Sequence, residues 1–216
     1  VKFDQIPSLI EGKYLYGRGN DFKSLSHLMF SDQCLLFYIP RIYEAGKDYR
    51  CFFDMLQVEN VYKSDFHEKD FPSLEYLEKF DLIYCDEKMQ YHLKDKIKLA
   101  ILKDLFEKEV ISRWHYPPQT QSTIQEWIDA GILTAGSTLL SVPESNYFSY
   151  MLNHEKYCNG LDIRNKYAHG KGQISSNEAE HINNYNILLR LLTILTIKIN
   201  DEFCLFEEQQ KGEIHA

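Results

Sequence analysis

Apolar positions fall into three regimes along the chain. From Val1 to Phe71 the apolar segments are short, at Tyr14 to Tyr16, Cys34 to Ile39 and Cys51 to Leu56. Gly17, Gly19, Pro40 and Gly46 punctuate them, which predicts a mixed region of short strands and helices. Between Pro72 and Pro143 a cadence recurs. Pro72-Ser73 opens a helix with Leu74, Leu77 and Phe80 at helical spacing, and Leu82-Ile83-Tyr84 turns through Asp86-Glu87-Lys88 and returns along Met89 to Leu93 as a hairpin. A long helix is predicted from Lys94 to Trp114. Ser122 then starts a helix through Ile124, Trp127 and Ile128, Gly131 ends it, and Ile132 to Val142 is extended around Gly136.

The last regime holds the best-defined helices. One runs from Asn146 to Gly170, with Tyr147, Phe148, Tyr150, Met151, Leu152, Leu161, Ile163 and Tyr167, and Asn159-Gly160 placed to bend or split it. Ser175-Ser176-Asn177-Glu178 caps the next, in which Ile182, Tyr185, Leu188, Leu189, Leu192, Leu195, Ile199 and Phe203 share one wide face. Ile187, Leu191, Ile194 and Ile197 widen it further, so this helix is expected to be buried on most sides, inside a bundle or between two subunits. The organisation is therefore a mixed α/β region over 1–71, a middle over 72–143 and a helical region over 144–216, with the 94–114 helix a candidate third member of the last bundle. The helix-then-hairpin rhythm of the middle is winged-helix-like. Its exposed positions, Glu75, Glu78, Lys79, Gln125, Glu126 and Asp129, are mostly acidic, which favours structural use of that packing over DNA reading.

Composition narrows the function classes. The 216 residues, 44% of them hydrophobic, suffice for one large domain or two small ones. Five cysteines stand singly, with no C-x-x-C pair, which argues against a zinc site or a disulfide framework and suits the cytoplasm. No targeting peptide follows Val1, and the chain reads as a piece of a longer protein with further domains. The apolar stretch Leu188 to Ile199 is broken by Arg190 and Lys198 and is too short for a bilayer, so no membrane span is expected. A net charge of −8 speaks against a general nucleic-acid coat. Around residues 164–171 the balance inverts, with Arg164, Lys166, His169 and Lys171 opposed by Asp162 alone.

That inversion coincides with the run Arg164-Asn165-Lys166-Tyr167-Ala168-His169-Gly170. A guanidinium can clamp non-bridging phosphate oxygens, and an imidazole near neutrality can move the proton of a 2′-hydroxyl or a leaving group, so the pair suits metal-free phosphodiester chemistry. The bland alternative is a helix end with Arg164 and Lys166 solvated and His169-Gly170 as its cap. On a regular helix Asn165 and His169 share a face while Arg164 points to one side, so convergence needs an unwound helix end or a second copy of the motif. The remaining histidines, His67, His92, His115, His154 and His181, lie singly without metal-ligand spacing and read as surface or core residues. Gly17-Arg18-Gly19-Asn20 lacks the ending of a phosphate loop and reads as a turn.

The segment from Asn146 to Phe206, with Arg164, Asn165 and His169 at the places of an Arg-x4-His signature and a long apolar helix after it, resembles the closing half of a HEPN domain. The resemblance implies a mainly α fold, a helical bundle that often dimerises, and RNA as partner. Many members are metal-independent endoribonucleases of toxin, abortive-infection and other antiviral defence systems, and others are noncatalytic binding or scaffold modules. On this footing Arg164, His169 and Asn165 are the candidate catalytic residues of a cytoplasmic, homodimeric hydrolase without metal or cofactor. Lys166, Tyr167 and Lys171 are the candidate RNA contacts. A noncatalytic dimerisation or regulatory domain is the alternative.

Overall fold

The computed structural model describes residues 2–153, 156–168 and 177–212. The chain is mainly helical, with two small sheets. In order it forms β1 (Tyr14–Gly17), α1 (Gly19–Phe30), α2 (Pro40–Glu44), α3 (Phe52–Val58), β2 (Val61–Tyr62) and α4 (Phe71–Lys79). There follow β3 (Ile83–Cys85), β4 (Gln90–Leu93), α5 (Lys96–Lys108), β5 (Val110–Ser112), α6 (Gln121–Asp129) and β6 (Leu133–Gly136). Three helices close it: α7 (Val142–Leu152), α8 (Ile163–Ala168) and α9 (Glu178–Gln210). Its contacts divide into two compact units, one from the described residues of 1–15, 112–118 and 135–216, the other from 16–111 and 119–134.

Residues 14–136 carry a structural repeat. Helix α4 has its counterpart fifty residues on in α6, and each hands over to a strand through the same turn. Leu82 N–H bonds Leu77 C=O at 3.1 Å, and Ile132 N–H bonds Trp127 C=O at 2.9 Å. The residue before each donor is left-handed, Asp81 at φ 61° and Gly131 at φ 74°. The buried positions repeat too, Leu74, Leu77, Leu82 and Ile83 answering Ile124, Trp127, Ile132 and Leu133. Each such side chain contributes roughly 1.5–3 kcal/mol by leaving water.

The sheets show how the copies interlock. Their strand orders are β2-β4-β3 and β5-β1-β6. In the first, β4 pairs antiparallel with both neighbours, setting Val61 opposite Tyr91 and Ile83 opposite Leu93. In the second, β1 holds the place of β4. Lys63 N–H bonds Met89 C=O at 2.8 Å as Arg113 N–H bonds Lys13 C=O at 3.0 Å. Lys94 N–H bonds Leu82 C=O at 3.0 Å as Arg18 N–H bonds Ile132 C=O at 2.7 Å. Both central strands feed the same kind of helix, with Leu25, Ser26 and Met29 of α1 buried in the pattern of Ile101, Leu102 and Leu105 of α5. The repeat is thus β1-α1-β2-α4-β3 followed by β4-α5-β5-α6-β6, each copy lending its first strand to the other's sheet. Helices α2 and α3 are an insertion in the first copy.

Three sequence expectations change here, the first being the extended run of 132–142, which ends as β6 at Gly136 and gives way to α7 at Val142. The 94–114 helix ends at Lys108, because Glu109 turns left-handed at φ 63° and the chain continues as β5. Its start is fixed by Asp95, whose carboxylate accepts from the N–H groups of Ile97 and Lys98 at 2.9 and 3.0 Å. The helix expected over 146–170 is two helices, α7 and α8. Leu161 N–H bonds Tyr150 C=O at 2.9 Å, and a Cβ at Gly160 would lie 2.7 Å from that same carbonyl oxygen. Only glycine allows this close return of the chain against α7.

In the first unit α9 packs Ile187, Leu191, Ile194 and Leu195 against Leu140, Phe148, Phe3 and Met151. Helix α7 starts with a capping box, Glu144 accepting from Ser141 N–H at 2.8 Å. Further along α9, Lys198 reaches Glu144 at 2.5 Å. Glu202, only 4% exposed, is bound by the Lys13 ammonium, the Ser8 hydroxyl and the Leu9 N–H. Burial would push the Glu202 carboxyl up, but these donors outweigh it and hold the pKa below the usual carboxylate range. The expectation that α9 is buried on most sides does not hold within one chain. Ile182, Tyr185, Leu189, Leu192, Ile199 and Phe203 are all exposed. Among the described residues no helix is long and apolar enough to cross a membrane.

Candidate active site

The candidate site lies where α8 meets the first turns of α9. Ile163 at the head of α8 is fully buried and pins the helix, while Arg164 and Lys166 are exposed. The turn into α8 is tight: Asp162 is left-handed at φ 54°, and Lys166 N–H bonds its carbonyl at 3.2 Å. Asn165 turns back on this turn, its amide donating to the Asp162 carboxylate at 2.6 Å.

Tyr167 points the other way, into α9. Its hydroxyl accepts from the Asn184 amide at 3.1 Å and stands 2.7 Å from Nδ1 of His181, the two rings meeting edge to face at 5.8 Å. Asn184 is 6% exposed, a buried amide on a helix whose neighbouring faces are apolar. Asn177 caps α9 by accepting from Ala179 N–H at 3.0 Å, which fixes the first turn that carries His181. Lys166 faces Glu180 at 3.4 Å, an exposed pair of small energetic weight that a phosphate can displace. Among the described residues Arg164 has no ion-pair partner.

Of the residues singled out from sequence, Arg164, Asn165, Lys166 and Tyr167 therefore sit together on α8, whereas His169 and Lys171 lie outside the described residues. His154 and Ser175-Ser176 lie outside them as well. Arg164 and Tyr167 are three apart on one helix and so share a side of it, with Cβ atoms about 5–6 Å apart. Asn165 is engaged instead with Asp162. Sequence reasoning missed His181 and Asn184. The available signal was their i, i+3 spacing in the first turns of the helix that follows the motif.

No family model matches the chain, and no curated protein or solved structure matches it. Among the described residues no three His, Cys, Asp or Glu side chains converge to hold a metal ion. His92 meets Asp86 at 3.0 Å beneath the stacked ring of Tyr84, on the β3–β4 hairpin.

Proposed function

We propose that this chain is a HEPN-like, metal-independent endoribonuclease of the cytoplasm, acting as a homodimer within a larger defence or toxin protein. In this reading RNA is bound with a scissile phosphate against Arg164, which stabilises the charge growing on the non-bridging oxygens. His169 takes the proton of the 2′-hydroxyl, the 2′-oxygen attacks phosphorus and the 5′-oxygen leaves, giving a 2′,3′-cyclic phosphate and a 5′-hydroxyl. Asn165 holds the turn that aims Arg164, with Lys166, Tyr167 and Lys171 as RNA contacts. The observation that carries the reading is the exposed Arg164 guanidinium, without an ion-pair partner among the described residues, on the same side of α8 as the Tyr167–His181 pair.

The dimer draws on α9. Ile182, Tyr185, Leu189, Leu192, Ile199 and Phe203, with Thr196 between, step by three and four along the helix, the spacing of a seam that packs on its own copy. This same seam favours the second reading, a noncatalytic dimerisation domain. The repeated helix-to-strand modules are winged-helix-like scaffolding in either case, since α4 and α6 expose Glu75, Glu126 and Asp129. Incubating the chain with single-stranded RNA and with DNA of the same sequence, in EDTA, decides between them. Cleavage of RNA alone, with cyclic-phosphate ends, is expected. Failure to cut RNA, or equal cutting of both, rejects the ribonuclease and leaves the scaffold.

A further inference from the structure

Helices α1 and α4 of the second unit hold an open cleft of about 440 Å³ between them. Its walls are Ser24, His27 and Leu28 from α1 and Pro72, Ser73 and Tyr76 from α4, residues three or four apart and so on one stripe of each helix. Asp21 lies one turn before Ser24 on the same stripe, and its carboxylate accepts from the Tyr76 hydroxyl at 2.6 Å. We propose that this cleft binds a nucleobase bearing an exocyclic amino group, such as adenine, carried by a free nucleoside or by single-stranded RNA. The site goes beyond the ribonuclease reading and does not depend on it.

The repeat supplies the first argument. Helix α1 answers to α5 and α4 to α6, so the places of the cleft residues are held in the second repeat by Ala100, Lys103, Asp104, Ser122, Thr123 and Glu126. Leu28 and Tyr76 are replaced there by Asp104 and Glu126. Asp104 pairs with Lys108 at 2.5 Å along its own helix, and Glu126 is exposed. The packing common to both repeats thus tolerates charged residues at these positions. The apolar floor and the ring of the first repeat serve something other than the module's own core.

The lining selects the ligand. Ligand sites are clefts of about 300–1,000 Å³ with mostly apolar and aromatic walls and a few convergent polar groups. Leu28, Pro72 and Tyr76 supply such walls for a flat ring, and two hydroxyls and a neutral imidazole each offer a donor and an acceptor to its edge. None of the lining residues is Lys or Arg, and Asp21 stands beside them, so a phosphate is repelled rather than held. The carboxylate accepts only. One of its oxygens takes the Tyr76 bond; burial and then this bond push the Tyr76 hydroxyl up to about 12, so it stays a donor at neutral pH. The other oxygen has no partner among the described residues. It calls for an N–H, which the amino group of adenine provides and the carbonyl at the same place of hypoxanthine does not.

The test is calorimetric titration of the whole chain with adenosine, with inosine, and with a single-stranded oligoadenylate whose 2′-hydroxyls are methylated and so cannot attack. Adenosine is expected to bind about 10-fold or more tightly than inosine. Displacement of adenosine by the oligomer assigns the cleft to bases on a strand, and adenosine binding that the oligomer does not displace assigns it to free nucleosides. Replacing Leu28→Asp together with Tyr76→Glu installs the residues of the second repeat and is expected to remove binding, with circular dichroism and melting unchanged. Should that pair fail to fold, Ser24→Trp, which fills the cleft from an exposed position, decides in its place. Absence of binding to the wild-type chain at millimolar ligand, equal affinity for adenosine and inosine, or binding that survives these replacements overturns the assignment. None of these outcomes touches RNA cleavage, which is read separately in EDTA.

Discussion

Lys13, just before β1, and Glu202, about three helical turns beyond Leu191 on α9, form an ion pair with only 5% of each side chain exposed. Removing one partner strands the other charge in a dry place. Glu202→Ala is expected to lower the unfolding free energy by about 3–5 kcal/mol, measured by urea titration, and the double replacement Lys13→Met with Glu202→Leu by much less. A double variant as unstable as the single one would show that the pair holds α9 by more than charge balance.

The same carboxylate predicts an acid response. Glu202 and Glu144 both have depressed pKa values, because the Lys13 and Lys198 contacts and nearby N–H donors outweigh burial. A depressed folded-state value means their stabilisation is complete above the ordinary glutamate pKa of about 4.3 and is lost as pH falls through the lower folded values. Thermal melting should therefore stay level from neutrality to about pH 5 and drop steeply below 4. Glu202→Gln should flatten the drop while lowering stability at neutral pH.

At the repeated turn, Gly131 and Asp81 occupy the same left-handed conformation. Gly131→Ala has open space for its methyl group, so its cost is backbone strain alone, about 1–2 kcal/mol. Asp81→Gly relieves that strain but removes the contacts of the carboxylate with Lys94 at 2.6 Å and Lys98 at 3.2 Å. These are partly exposed pairs of about 0–1 kcal/mol, so a net change within about 1 kcal/mol is expected in a denaturation series.

At the motif, Arg164→Ala should leave the fold intact and abolish RNA cleavage in EDTA, since its side chain is exposed and unpaired among the described residues. Gly160→Ala should lose activity by another route, because the added Cβ collides with the Tyr150 carbonyl that carries the α7-to-α8 turn. Circular dichroism and melting separate the two. Undiminished cleavage by Arg164→Ala would remove the guanidinium from the site.

On α9, Leu192 is 61% exposed and Leu191 only 3%. Leu192→Glu should convert a dimer to a folded monomer in light scattering, whereas Leu191→Glu should unfold the first unit. If the wild-type chain is a monomer at all practical concentrations, the seam has another role.

Local periodicity made α4, the β3–β4 hairpin, α6 and α9 legible, because each is specified by residues within a few positions of one another. The cadence of the middle region was also visible, but not its completion. Nothing in Tyr14 to Gly17 says that this strand belongs beside β5 and β6, since pairing partners are chosen by tertiary packing rather than by pattern. The early end of α5 depends on Glu109 adopting a conformation that sequence rarely assigns to glutamate. In the site, Arg164 and Tyr167 were found by motif, while His181 was set among the scattered histidines. Its neighbour is a hydroxyl contributed by a different helix. Lys166 was set against Asp162 alone, and Glu180, in the first turn of the next helix, answers it.

The exchange of first strands between the two repeats bears on how the chain comes to be folded. Synthesis delivers β1 early, but its neighbours β5 and β6 follow only from residue 110 on, whereas β4 emerges with both its partners, β2 and β3, already made. Until then β1 is an unmatched strand with open edges, able to join any complementary edge that presents itself. The first sheet should form promptly and the second late, as the long-range closure that sets the folding rate. A second nascent chain nearby could satisfy β1 before its own β5 and β6 arrive. The interlocking that ties the repeats together in the finished molecule is, on the ribosome, an interval of exposure to the wrong partner.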